Sequence, residues 1–333
     1  MEVDSLWCVA RHLRLTGRWR RLVFPAAVVL VITVGTTALI VATGDGDPAP
    51  AAGSGPVDST GTASASAVEP SASQPGTTSA APPTTAPAAR TSTTTVGAAP
   101  ARFTTLGPGA ALPSGAQCAT WVQAQPYNEN KGVNRTANQT TGHHIGSDFF
   151  GGDDPRANSV IGLRVDGQFT GTTGQILRWA ACKWGIDEDM VFAQAAIESW
   201  WRQDTMGDWS SDASRCAPNR GLGVDGKAGQ CPESFGILQN RYPYEKSAWP
   251  GIASSTAMNA DLAYAIWRVC FEGYEGWLNT VERGRDYAAG DAWGCFGRWF
   301  SGRWHTDAAE GYIGRVRDYL NQRIWTTANF QQP

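Results

Sequence analysis

The sequence predicts a mainly α-helical domain carried at the end of an exported, membrane-tethered chain. Three observations predict it. From Thr173 onward, apolar residues recur at helical spacing between capping residues, and strand-like alternation is nearly absent. Before that domain come an uncharged apolar run and a long stretch of Ala, Pro, Ser, Thr and Gly. Six of the seven cysteines fall after that stretch.

Residues 1–21 form a basic head, with Arg11, Arg14, Arg18, Arg20 and Arg21 against Glu2 and Asp4. Residues 22–44 contain no charged side chain. As a helix they would cross a hydrocarbon core of ~30 Å. The arginines on the N-terminal side place that end in the cytoplasm and the rest of the chain outside. The segment reads as an uncleaved transmembrane anchor; a cleaved signal sequence, giving a secreted protein, is the alternative. Residues 45–105 have too few large apolar side chains to offset the entropy of ordering, so they read as a disordered linker. A flexible coil of ~60 residues would reach ~45 Å.

The domain at residues 106–333 holds 20 Lys+Arg and 24 Asp+Glu. That acidic balance argues against a nucleic-acid footprint, which needs a basic face. A monomer is expected, with the membrane met only through the N-terminal helix. Cys8 lies in the head; Cys118, Cys182, Cys216, Cys231, Cys270 and Cys295 lie outside, an even number that predicts three disulfides. Cys216–Cys231, closing one Gly-rich loop, is the first pairing to expect. Cys270–Cys295 follows, and Cys118–Cys182 is the remainder. No zinc-ligand spacing is present, and no metal or organic cofactor is expected.

Residues 106–173 read as an irregular lead-in tied down by Cys118. His143 and His144, near Asp148, Asp153 and Asp154, read as a solvated polar loop rather than a metal site. Asn134-Arg-Thr and Asn138-Gln-Thr fit the glycosylation sequon. Thr172 or Thr173 caps a helix through Ile176, Leu177, Ala180, Ala181 and Trp184, and Gly185 ends it. Asp187 caps the next helix, with Glu188 and Asp189 in the first turn, where acids suit the helix dipole. Longer helices are predicted over 254–279 and 306–324. Thirteen of the 15 tryptophans fall in this domain. Most should fill the core, but Trp200, Trp201, Trp299 and Trp304 are candidates to line a sugar-binding groove, because an indole offers an apolar face and a donor.

Glu198 stands in Ala193-Gln-Ala-Ala-Ile-Glu-Ser-Trp-Trp201, near the end of an apolar helix and on one stripe with Val191, Gln194 and Ala195. Apolar surroundings disfavour the carboxylate and raise its pKa, which suits a glycosidic general acid. The competing reading is a surface glutamate paired with Arg202 at i+4.

Glu198-Ser199, Ser234-Phe-Gly-Ile-Leu-Gln239 and Asn259, in that order, resemble the three motif regions of soluble lytic transglycosylases in the lysozyme-like superfamily. The match covers the core at residues 173–325. The resemblance implies a lysozyme-like, two-lobed helical domain that cleaves the MurNAc-GlcNAc β-1,4 bond of peptidoglycan glycan strands. Glu198 would act as acid and then as base, leaving a 1,6-anhydro product. It further implies that Ser199 orients the acid or a substrate oxygen, and that Ser234, Gly236, Gln239 and Asn259 bind substrate, with Trp201 and Ser301 as further contacts. The family's Ala-Tyr-Asn-x-Gly segment, whose tyrosine touches the acid, corresponds here to Arg298-Trp-Phe-Ser-Gly302; Phe300 lacks a hydroxyl, and Ser301 or Tyr274 is expected to supply one. The longer gap between Glu198 and Gly236 is assigned to a loop pinned by Cys216–Cys231. Two rival functions stay open. One is a lysozyme-type hydrolase of this or a chitin-like glycan, with Asp208 chosen over Asp204 and Glu233 as second acid, about 6.5–9.5 Å from Glu198. The other is a non-catalytic cell-wall glycan-binding module.

Overall fold

A computed structural model describes residues 100–331, apart from 126, 128, 130, 152, 153 and 280–285. The predicted head, the anchor and the linker through residue 99 lie outside the described residues. Among the described residues, no helix is long and apolar enough to cross a membrane. Packed chain begins ahead of the expected boundary at residue 106. Phe103 is buried, and Arg102 pairs with Asp187 and Asp189.

The described domain is mainly helical, as the periodicity predicts. Its helices are α1 (Gly115–Gln123), α2 (Thr173–Trp184), α3 (Glu188–Ser199), α4 (Gly251–Ser254), α5 (Thr256–Phe271), α6 (Ala292–Ser301) and α7 (Asp307–Gln322). Between α3 and α4 lies a small antiparallel sheet of β1 (Met206–Ser210), β2 (Cys231–Phe235) and β3 (Asn240–Arg241), in that spatial order. Gly207 pairs with Ser234, and Ser234 with Arg241. This sheet was not predicted: its strands are short and carry no long alternating run.

The caps explain why the helices start and stop where they do. Thr172 and Gln175 form a reciprocal capping box on α2, and Gly185 closes that helix in the left-handed region. The Asp187 carboxylate accepts from the first-turn amides of α3. The expected helix over 254–279 breaks into α4, α5 and a 3-10 turn at Gly276–Asn279. The side chain of Ser255 caps α5 and thereby separates it from α4.

Every residue of α5 is buried, as expected of a helix running through a core. α2 and α6 pack on it, α1 packs on α2, and α7 packs on α3 and α6. A buried helix must satisfy its charges internally. Asp261 of α5 accepts from Lys183 Nζ (2.7 Å) and Trp184 Nε1 (2.8 Å), and from the Gly167 amide (2.8 Å). The six cysteines join as Cys118–Cys182, Cys216–Cys231 and Cys270–Cys295, the expected pairing. The first pins the lead-in to α2, and the third ties α5 to α6. Asn134 and Asn138 are buried and donate to Thr173 Oγ1 at 3.0 Å, so neither sequon offers an accessible amide in the folded chain.

Candidate active site

Glu198 is the penultimate residue of α3. The helix stops there because Trp200 and Trp201 take left-handed backbone angles (φ 57° and 60°) and turn the chain away. The residue is half-buried, with its carboxyl covered by α6 and α7. Tyr312 of α7 donates its hydroxyl hydrogen to Glu198 Oε1, and Trp299 Nε1 of α6 donates to the same oxygen at 3.2 Å. Gln194, one turn earlier on α3, donates to the Tyr312 oxygen at 3.3 Å. Arg202 does not pair with Glu198; its guanidinium is on Asp204.

Burial pushes the Glu198 carboxyl up to about 7, against an unperturbed 4.5. The Tyr312 hydrogen bond works in the opposite direction, the nearby Asp208 charge adds to the rise, and the Trp299 bond and the Arg315 charge moderate it. Burial and the Glu198 charge hold the Tyr312 hydroxyl well above the ordinary tyrosine range, so it stays a donor.

The expected ligand residues separate into three groups. Ser199, Gly236, Gln239 and Asn259 come together and hold one turn; Gly236 also lines a cavity with Gln203, Thr205 and Phe235. Ser199 Oγ donates to the Ile237 carbonyl (2.8 Å), and Gln203 Oε1 accepts from the Ile237 amide (3.0 Å). The fully buried Asn259 side chain accepts from the Leu238 amide (2.9 Å) and donates to the carbonyls of Phe235 (2.8 Å) and Ile252 (2.6 Å). Gly236 has φ 80°, and a Cβ there would press on the Asn259 amide and come within 2.6 Å of Gln203 Nε2. Gln239 Nε2 donates back to the Gly236 carbonyl at 2.7 Å. These bonds clamp the Gly236–Gln239 turn between the end of α3 and the start of α5.

The second group is Ser234 and Asp208, facing each other across β1 and β2. The Ser234 hydroxyl donates to Asp208 Oδ2, and Arg241 Nε lies 3.5 Å from the same oxygen. Asp208 is half-exposed and has φ 46°, an uncommon angle for a residue with a Cβ. The third group stands apart from the acid. Trp201 is fully buried against Phe192 and Phe330 and donates to the Phe192 carbonyl, so it is core rather than groove. Ser301 bonds the Gly297 carbonyl and the Arg303 amide at the end of α6. Tyr274 lies against the Arg156 guanidinium. Neither Ser301 nor Tyr274 supplies the hydroxyl expected at Glu198; Tyr312 does. Of the other candidates, Trp304 is buried, Asp204 is engaged by Arg202, and Glu233 is held low by Arg215 and Arg241.

Tyr312 escapes a sequence reading because it sits on the apolar stripe Ala309, Tyr312, Ile313 and Val316, which reads as core. The available signal is its hydroxyl, since a tyrosine in a core stripe needs a polar partner. Glu245 was also missed. It is a second buried carboxyl, pushed up to about 8 by burial, with Oε2 unpartnered among the described residues.

Comparison of the chain with family models, curated proteins and solved structures found no match.

Proposed function

We propose that the protein cleaves peptidoglycan glycan strands as a lytic transglycosylase, with Glu198 acting as acid and then as base. The observation that carries this reading is the state of Glu198: a carboxyl pushed up to about 7, bonded by two neutral donors and, among the described residues, by no cation. A group in that state is mostly protonated below neutral pH, about half protonated at it, and still acidic enough to give the proton up. Glu198 transfers its proton to the glycosidic oxygen as the C1–O bond breaks. The cationic centre at C1 is stabilised by the substrate's own 2-acetamido group. Tyr312 and Trp299 then stabilise the carboxylate just formed, which takes the proton of the muramyl 6-hydroxyl as that oxygen closes on C1. The product is a 1,6-anhydro sugar, and Glu198 is protonated again.

The reading extends to architecture and place. The helices around Glu198 and the small sheet carrying Asp208 would be the two lobes of a lysozyme-like cleft. Residues 22–44 would anchor the chain, and the linker would carry a monomeric domain outward to the wall. A second reading, hydrolysis, is favoured by one observation: the half-exposed Asp208 lies against Ser234 and Arg241 and near enough to Glu198 to act on its carboxyl. There Asp208 would take a proton from an attacking water.

The test is a digest of purified peptidoglycan, with wild type beside Glu198→Gln and Asp208→Asn and products read by mass. Anhydro-muropeptides from wild type and from Asp208→Asn, and none from Glu198→Gln, are expected. Reducing ends that vanish in both variants would replace this reading with the hydrolase. Strand binding with no product from wild type would replace it with a glycan-binding module.

A further inference from the structure

Two side chains beside the acid are unused by the chemistry above. Phe300 is among the exposed large apolar residues, at 37%. One of its faces stacks on Tyr312, with ring centroids 4.8 Å apart and planes at 5°. Tyr312 is also the residue that bonds Glu198, so Phe300 lies one stacking distance from that bond. Parallel stacking covers one face of a phenyl ring and leaves the other to a ligand. Arg315, nearly one turn beyond Tyr312 on α7, sets its guanidinium 5.5 Å from the Phe300 centroid and 5.7 Å from that of Tyr312. Arg202, Arg241 and Arg298 sit on carboxylates (Asp204, Glu233 and Glu275), whereas Arg317, like Arg315, lies against an aromatic ring. Arg315 is half-buried against the two rings and has no carboxylate partner among the described residues. Its charge acts on Glu198 when that carboxyl ionises, and its planar fork matches a further carboxylate brought by a ligand.

We propose that Phe300 and Arg315 form a specificity subsite beside Glu198 for a sugar ring that bears a carboxylate. The apolar C–H face of the ring lies on Phe300, and the carboxylate lies on the Arg315 guanidinium. This rests on the reading of Glu198 as a glycan-cleaving acid and narrows its substrate class. In a peptidoglycan strand, two groups supply the charge: the lactyl carboxylate of a peptide-free muramyl residue, and the carboxylates of an attached stem peptide. A chitooligosaccharide has the same acetamido sugars and neither charge.

Affinity measured by calorimetry on full-length Glu198→Gln protein separates the sources, because the variant leaves every ligand intact. Three ligands of equal length are compared: peptide-bearing strand, peptide-free strand and chitooligosaccharide. At least one carboxylate-bearing strand should bind about tenfold tighter than the chitooligosaccharide, with a lead that shrinks at high salt. If only the peptide-free strand shows the lead, the lactyl carboxylate is the source; if only the peptide-bearing strand does, the stem is; if both do, the site takes either carboxylate. Adding Arg315→Gln should bring the ratio close to one, and Arg315→Lys should keep part of it. Phe300→Ala should weaken all three ligands by roughly fivefold, and Phe300→Tyr should restore them. Equal affinity for all three ligands, or a preference that survives Arg315→Gln, overturns the proposal. Inactive wild-type protein would count against the glycosidase reading instead, since affinity needs no turnover.

Discussion

Glu198→Gln should stabilise the folded protein, and the gain should grow with pH. In the folded chain the carboxyl keeps its proton up to about 7, whereas the unperturbed group releases it near 4.5. Between those values the folded state binds more protons than the unfolded one, so wild-type stability falls as pH rises through the window and levels off above it. At about 1.4 kcal/mol per unit, ionising the buried group costs about 3 kcal/mol once pH is well above 7. Little of that is felt at pH ~5, so the variant's advantage should widen by about 2 to 3 kcal/mol between pH ~5 and ~8. Glutamine preserves the shape and an oxygen able to accept from Tyr312 and Trp299, so packing contributes little to the difference. Glu245, which titrates near 8, is present in both proteins and cancels. Urea denaturation of the two proteins at several pH values, with the slope checked for constancy, measures the gap. A gap that stays flat with pH would refute the claim that Glu198 is held protonated by burial, and with it the physical basis for its proposed role as an acid.

Tyr312→Phe removes a hydrogen bond that favours the ionised acid, so the Glu198 pKa should rise by about one unit. The alkaline limb of the pH–rate profile for glycan cleavage should move up with it, while activity falls because the carboxylate formed in the first step loses a donor; an unmoved limb would place Tyr312 outside the chemistry. Asn259→Ala leaves two buried carbonyls and one amide without a partner and should cost roughly 3 to 5 kcal/mol in chemical denaturation. A loss of glycan affinity at unchanged stability would instead return Asn259 to the substrate.

Local chemistry was legible in the sequence alone. The caps at Thr172, Gly185 and Asp187 act between residues close in the chain, so their positions predicted where α2 and α3 begin and α2 ends. The apolar period marked the helices, and an even cysteine count beyond the linker marked the disulfides. Glu198 stood out because an acid on an apolar stripe is a local conflict. What the sequence left open was every partner reached across the fold. Tyr312 lies 114 residues from Glu198 and Trp299 lies 101, and no pattern in the chain says that α6 and α7 close over the end of α3. The same limit applies to the residues expected at the substrate. Asn259 and Ser199 are polar and near the motif turn, which fits either a ligand contact or a clamp. Only the tertiary packing shows that Ser199 and Asn259 complete the hydrogen bonds of the Gly236–Gln239 turn, because that buried backbone has to find partners from elements far along the chain.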